Sequence, residues 1–273
     1  MIVFPNCKIN LGLNILRKRE DGFHDLETVF YPIHFTDALE IIPNPDSQAE
    51  TEFTITGLKV DGPAADNLCV KAYQLLKKDF PQLPAVKIHL HKTIPTGAGL
   101  GGGSADAAFM LKLLNEKFKL NLSTPELLNY SLQLGSDCPF FILNKPCFAT
   151  GRGEKLEEVQ LDLSAYQIVL INPHIHINTG WAFSHINPSL PGRSVKEIIG
   201  QPITTWKDEL KNAFEEPVFA THPQIKLIKE DLYNQGAVYA SMSGSGSTVF
   251  GIFDKPVSFT AKNNDEYFTK IIN

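Results

Sequence analysis

The segment PTGAGLGGGSADAAFML, residues 95–111, places Gly97, Gly99, Gly101, Gly102 and Gly103 within a few positions and then turns at once into a helix former's composition. Glycine has the most conformational freedom to lose, so an ordered loop this rich in it is destabilised unless bare backbone is needed. Something must approach the main chain closely just ahead of a helix. Ala107, Leu111, Leu114 and Phe118 recur at helical spacing and predict a helix from about Ser104. Its first turn is small (Ser104, Ala105, Asp106, Ala107, Ala108), which lets the helix end sit against a neighbour or ligand. A helix N-terminus offers unpaired N–H groups and partial positive charge, a setting for phosphate, and the preceding glycines add further N–H donors. The segment therefore reads as a nucleotide-binding loop comprising Pro95, Gly97, Ala98, Gly99, Leu100, Gly101, Gly102, Gly103 and Ser104. Gly101, Gly102 and Gly103 are expected to have to stay free of side chains. A plain hinge would need neither the proline before the run nor the small-residue helix after it. No Gly-Lys-Ser/Thr ends the run, so it is not a Walker-A loop, and the βαβ unit and ribose-binding acid of a Rossmann site are missing.

Elsewhere the apolar period switches between two and nearly four. CKINLGLNIL alternates Ile9, Leu11, Leu13 and Ile15 against Lys8, Asn10, Gly12 and Asn14, predicting a half-buried strand with Lys8 and Asn10 on its polar side. After the turn RKREDG, LETVFYPIHF reads as its hairpin partner. In AVKIHLHK the residues Val86, Ile88 and Leu90 alternate with Lys87, His89 and His91. Without nearby carboxylates, these histidines read as solvent-side strand residues rather than metal ligands, as do His174 and His176. Cys69, Ala72, Tyr73, Leu76 and Phe80 predict a helix capped by Asp66-Asn67. STPELLNYSLQLG carries a capping box (Ser123, Glu126), a first-turn Pro125 and an exit at Gly135. A composition shift suggests a boundary near residue 153, dividing the chain into 1–153 and 154–273. The second part reads as a buried strand QIVLIN, helices over 194–200, 206–215 and 223–235, and a strand TVFGIF. Strands interleaved with helices imply α layers over β, with parallel and antiparallel pairing.

The bulk numbers exclude several classes. A net charge of −5 over 273 residues argues against a sequence-independent nucleic-acid binder, and Arg17-Lys18-Arg19 reads as a solvated loop. Hydrophobic residues make up 43 % and charged residues 20 %, enough to bury a core, and no apolar run approaches a membrane span. Cys7, Cys69, Cys138 and Cys147 show neither metal spacing nor the density of a disulfide scaffold, and the start lacks a signal-peptide pattern. A cytosolic chain with reduced thiols is expected, without nucleic-acid or membrane partners, as a monomer or weak homodimer.

Taken together, three segments carry a family resemblance. PTGAGLGGGSADAA resembles the phosphate-loop motif of the GHMP kinases, CKINLGLNI their first motif, and SMSGSGSTVFGIF (residues 241–253) their C-terminal glycine-rich motif. Within that superfamily PNCKINLGLNILRKREDGFHDLETVF, LGSDCPFFI and INPHIHINTGWAF are similar to the branch that phosphorylates the 2-hydroxyl of a cytidine-diphosphate-linked methylerythritol. Departures are few: Phe23 stands where Tyr is common, and Cys7 and Cys138 where Ala and Val are common. The resemblance implies an α+β, two-lobed GHMP-kinase-like fold with mixed sheets, packed helices and an active site between the lobes. It makes 1–153 the ATP-binding part and 154–273 the substrate side, with ATP and magnesium as cofactors.

Asp137 follows Gly135-Ser136 and precedes Pro139, so the residues alone read it as either a turn-capping carboxylate or a site acid. The resemblance implies a catalytic base or hydroxyl-orienting role for Asp137, partnered by Lys8, with Asn10 bonding the same substrate region. It implies that Phe23 and His24 stack on and read the cytosine, and that Thr179 and Phe183 complete that pocket. Ser243, Gly244, Ser245 and Gly246 would approach the transferred phosphate or the diphosphate, and Asn67 and Lys92 the adenosine. For Asn67 and Lys92, a helix cap and a solvated strand end are the alternatives. Magnesium is expected with ATP; Ser104 is a candidate ligand by position, and no carboxylate cage is assigned. The competing readings are another GHMP acceptor (mevalonate, homoserine or a sugar) and a non-catalytic nucleotide sensor.

Overall fold

Val86, Ile88 and Leu90 are buried along one face of the strand Val86–Lys92, while Lys87, His89 and His91 point outward. The computed structural model describes residues 1–45, 51–257 and 266–273. It is α+β, and the chain forms two compact units, neither contiguous in sequence. Unit 1 comprises Met1–Cys7, His34–Thr96 and Gly101–Lys145; unit 2 comprises Lys8–Ile33, Gly97–Leu100 and Pro146–Asn273. The last crossing, between Lys145 and Pro146, falls shortly before the composition shift near residue 153. The earlier crossings follow from long-range strand pairing, which local periodicity does not encode.

In unit 1 a four-stranded sheet runs in the order Ile2–Val3, Ala38–Pro43, Val86–Lys92, Thr51–Gly57. Thr51–Gly57 pairs with Val86–Lys92 in parallel and the other pairs are antiparallel. Register sets Leu39 opposite Leu90 and Ile41 opposite Ile88, one apolar face. Four helices accompany it: α1 (Leu68–Asp79), α2 (Gly102–Phe118), α3 (Thr124–Leu134) and α4 (Cys138–Leu143). α1 buries Cys69, Ala72, Tyr73 and Leu76, the stripe expected from their spacing. α2 is broader than one stripe, burying Ala105, Ala108, Met110 and Leu113 as well as Ala107, Leu111 and Leu114. α3 begins with the Ser123–Glu126 capping box and exits at Gly135. His89 and His91 meet a hydroxyl, with Thr56 Oγ1 3.0 Å from His89 Nε2 and 2.9 Å from His91 Nδ1. Among the described residues no three His, Cys, Asp or Glu gather to hold a metal ion.

Unit 2 contains the antiparallel sheet Tyr239–Met242, Val249–Phe253, Gln167–Asn172, Phe268–Ile272. The hairpin expected at the start exists: Asn6–Lys18 and His24–Thr36 are neighbours in a sheet extended by Cys147–Gly151 and Lys155–Glu158. The strand Asn6–Lys18 is not half-buried, however. Every residue from Asn6 to Leu13 is buried, including Lys8 and Asn10, because both of its faces are covered. The helix expected over 206–215 is also different. It stops at Glu209, and the chain resumes as a helix at Glu215–Thr221. Between them the backbone pairs with Leu13: Leu13 N donates to Lys211 O at 2.8 Å and Ala213 N to Leu13 O at 2.8 Å. The helix Pro223–Asn234 turns Ile225, Ile228 and Leu232 into a core with Val169, Ile171, Phe214, Val249 and Phe253.

Unit 1 also buries charge. Lys92 is only 4 % exposed, which overturns its reading as a solvated strand end. Its ammonium donates to Asp37 Oδ2 and, at 2.7 Å, to Asp106 Oδ2, while Asp106 Oδ1 is buried without a partner. Burial alone would lower the Lys92 pKa, but the two carboxylates outweigh it and hold the value above the ordinary one. Burial pushes the Asp106 carboxyl from the ordinary 3.8 up to about 7, against the pull of Lys92 and with the help of Asp37. A carboxyl raised by folding contributes stability that is present below its unfolded pKa and is lost as pH rises through the folded value. Asp106→Asn keeps an acceptor for Lys92 and removes the charge. It is expected to melt about 2–4 °C above the parent chain at pH 8, with the gap narrowing toward pH 5. Thermal melts showing the same gap at both pH values would contradict a raised Asp106.

Candidate active site

In unit 2 the three glycine-rich or lysine-bearing motifs meet at one carbonyl. Gly99 takes φ +78°, and a Cβ there would lie 2.0 Å from the Ser243 carbonyl oxygen, so the position requires glycine. The Gly99 carbonyl accepts from Ser243 Oγ at 2.8 Å and from Lys8 Nζ at 3.1 Å. Lys8 Nζ also donates to Asn10 Oδ1 at 2.5 Å and lies 5.1 Å from the Phe30 ring centroid. Asn10 N donates to Ser243 Oγ at 3.2 Å, and its side-chain amide to Thr28 Oγ1 at 3.0 Å. Gly244, at φ +56°, has room for a Cβ only 3.4 Å from Asn10 Oδ1 and Gly99. Backbone bonds complete the junction: Lys8 N to Leu100 O at 2.9 Å and Thr248 N to Ala98 O at 3.2 Å. Lys8, Asn10, Ala98, Gly99, Leu100, Ser243 and Gly244 thus form one buried cluster, as the motifs require.

The expected base-recognising residues also cluster in unit 2, in pairs. His24 stacks on Phe183, with centroids 4.9 Å apart and planes at 18°. Burial, then the nearby Lys18, lowers the His24 pKa, which leaves a neutral imidazole with one donor and one acceptor. Phe23 is 50 % exposed, with the Arg152 guanidinium 4.6 Å from its ring centroid. Thr179 Oγ1 lies 3.2 Å from Ser245 Oγ, joining the later substrate segment to the third motif.

In unit 1 the nucleotide-loop residues open α2. Gly101 adopts φ +70° as its N-cap, a left-handed position with no side chain to cap the first N–H groups. A Cβ at Gly103 would meet only Leu68 Cδ1, at 4.0 Å, so the helix start presents open backbone there. Gly102 is expected to stay bare for a phosphate or for a positive φ, and the structure adds a third cause. A Cβ there would press on Ile94 Cγ2 at 3.0 Å, so packing beneath the helix already excludes it. Ser104 hydrogen-bonds the thiol of Cys138, the first residue of α4. Burial pushes that thiol up to about 12, which keeps Cys138 an inert apolar filler. Asp137 immediately precedes it at the N-cap of α4, half-buried, and makes no side-chain capping bond there. Asn67 does act as a cap, accepting from Cys69 N at 2.9 Å at the start of α1. Pro95 leads into the loop, and Gly97 turns at φ +66°.

Three contributors escaped sequence reasoning. Asn212 donates to Met242 O at 2.7 Å and Gly244 O at 2.9 Å, bracing the third motif. Arg152 covers Phe23, and the His176 ring, set aside as a solvent-side strand residue, approaches the Cβ position of Gly97 to 3.3 Å from a loop. Asn212 and Arg152 lie outside the motifs, His176 lies within INPHIHINTGWAF but at a position given no role there, and only tertiary packing brings the three in.

Known proteins resemble the chain along nearly its whole length. Residues 67–145 match the family model described as GHMP kinases N terminal domain, and residues 195–264 that described as GHMP kinases C terminal. The 4-diphosphocytidyl-2-C-methyl-D-erythritol kinase of Bacteroides fragilis is 54 % identical, over 98 % of this chain and 97 % of its own. That of Cytophaga hutchinsonii is 51 % identical over 95 % of each chain. A crystal structure of 4-(cytidine 5'-diphospho)-2C-methyl-D-erythritol kinase matches with a TM-score of 0.76 at 31 % identity, over 92 % of this chain and 90 % of that one. Methanococcus jannaschii mevalonate kinase, at 12 % identity and a TM-score of 0.67 over 100 % of this chain and 98 % of its own, shares the fold. The chain belongs to the GHMP kinases and, within them, to the 4-diphosphocytidyl-2-C-methyl-D-erythritol kinase family.

Proposed function

We propose that this protein is an ATP-dependent kinase that phosphorylates the 2-hydroxyl of 4-diphosphocytidyl-2-C-methyl-D-erythritol, a step toward isoprenoid precursors. The observation that carries the reading is the Ser104–Cys138 contact, which sets the bare N-terminus of α2 beside the turn bearing Asp137. An anion site and a carboxylate side by side are what phosphoryl transfer to an alcohol needs. The residues fit ATP: the open backbone at Gly103 is a cradle that a Cβ would fill, and Ser104 adds a hydroxyl. Magnesium would neutralise the phosphate charge, held chiefly by the phosphates themselves.

Asp137 orients the acceptor hydroxyl and takes its proton as the bond to phosphorus forms. Lys8, steered by Asn10 and the Gly99 carbonyl, steadies the transferring group with its positive charge. Phe23 offers a stacking face to the cytosine, and neutral His24, set by Phe183, reads its edge. Gly244, Ser245 and Thr179 approach the diphosphate, and Asn67 and Lys92 line the adenosine side. The enzyme works in the cytosol as a monomer or weak homodimer, on a small molecule rather than on nucleic acid or membrane.

Asp137→Asn keeps the shape and removes the proton acceptor, so turnover is expected to fall about 10²–10⁴-fold with ATP affinity little changed. Lys8→Met also loses rate, and the double variant loses far less than the product of the two single losses. Steady-state kinetics showing full multiplicativity would mean that the two residues act independently. For the acceptor, Phe23→Ala is expected to weaken binding by about one to two orders of magnitude, the contribution of base stacking. His24→Ala is expected to erase discrimination between cytidine- and uridine-linked acceptors. Titration calorimetry that finds both variants equal to the parent chain would remove the base from the recognition scheme.

A further inference from the structure

We propose that Asp37, Lys92 and Asp106 form a buried clamp that fixes both ends of the glycine loop, making Asp37 and Asp106 positioning residues for nucleotide binding. The proposal rests on the reading that this loop receives ATP phosphates. Asp37 is fully buried, and its Oδ1 accepts from Thr93 N at 2.6 Å and Ile94 N at 2.9 Å, the residues leading into Pro95. Its own N–H donates to Pro5 O at 2.9 Å, so the carboxylate is anchored at its base. Through Oδ2, Asp37 receives Lys92 Nζ, and the same ammonium reaches Asp106 Oδ2 at 2.7 Å in the second turn of α2. One chain of charge-assisted bonds therefore runs from the entry of the loop to the helix at its exit. Gly102 rests on the same group, since a Cβ there would lie 3.4 Å from Lys92 Nζ.

The clamp answers a problem that the glycines create. A loop this free would have to be ordered by the ligand, and that ordering would weaken binding. Fixing both ends beforehand shortens the free segment. The unpartnered Asp106 Oδ1 supports the same reading. A buried carboxylate with one oxygen unsatisfied is a poor source of stability, and apolar residues of similar size often serve as well or better. Its place at this junction fits a geometric role. Two of the three ammonium donors of Lys92 are taken by carboxylates, so the group is already committed before any nucleotide arrives.

Amide hydrogen exchange on the nucleotide-free protein, with ATP affinity measured in parallel, tests this on Asp106→Ala, Asp106→Asn and Gly103→Val. Asp106→Ala is expected to speed exchange across residues 96–104 about tenfold and to raise the KM for ATP by a similar factor with kcat retained. Asp106→Asn, which still accepts from Lys92, restores both to within about twofold. Unchanged exchange in Asp106→Ala overturns the clamp; if ATP affinity nonetheless falls, Lys92 serves as a nucleotide contact only. Gly103→Val isolates the underlying reading: unchanged ATP affinity there means that the loop is not the phosphate site, whatever the exchange shows. Should Asp106→Ala fail to fold, Lys92→Met/Asp106→Leu replaces the pair by apolar groups of similar volume and carries the same exchange measurement, with the same two outcomes.

Discussion

The approach of Gly99 to Ser243 is the contact on which the buried motif cluster of unit 2 depends. No side chain fits at Gly99, and the carbonyl left uncovered collects the Ser243 hydroxyl and the Lys8 ammonium. Residues separated by more than a hundred positions are thereby fixed around a single oxygen. Asn10 then uses all its polar groups inward, its N–H to Ser243, its amide to Thr28 and its oxygen to Lys8. A buried lysine is expensive unless its donors are met. Here the neighbours that meet them, Asn10 and Gly99, belong to the first motif and to the phosphate loop, so burial and motif constrain the same positions.

Unit 1 solves a different electrostatic problem. The starts of α2 and α4 lie together through Ser104 and Cys138. The buried clamp of Asp37, Lys92 and Asp106 carries one more negative charge than positive when both acids are ionised. Burial answers this by raising the Asp106 pKa toward neutrality rather than by supplying a second cation. Cys69 and Cys138, both buried with their pKa values raised, behave as apolar filler around these charges.

Much of this was legible in the sequence where the cause is local. The period-two pattern of 86–92, the capping box of α3 and the helix after the glycines all depend on near neighbours, and all are present. The motif residues were legible as well, and the structure gathers Lys8, Asn10, Gly99 and Gly244, as it pairs His24 with Phe183 and Thr179 with Ser245. What failed was non-local. Alternation cannot say that both faces of Asn6–Lys18 are covered, so Lys8 and Asn10 looked solvent-side. Helical spacing over 206–215 could not anticipate that 211–213 would pair with Leu13. Lys92 ends an exposed-looking alternation, and only the distant Asp37 and Asp106 explain why it is buried.

The central claim is that the acceptor is chosen through its nucleobase, by the surface around Phe23, His24 and Phe183, and phosphorylated by the Lys8 and Asp137 machinery. The most direct measurement compares kcat/KM, with ATP and magnesium, for the cytidine-diphosphate-linked methylerythritol and for nucleotide-free methylerythritol phosphate. Loss of one stacked base forfeits about 1–3 kcal/mol, so the cytidine-linked acceptor should be preferred by at least about fivefold. Equal use of the two acceptors, or turnover of mevalonate or homoserine in their place, would contradict the account.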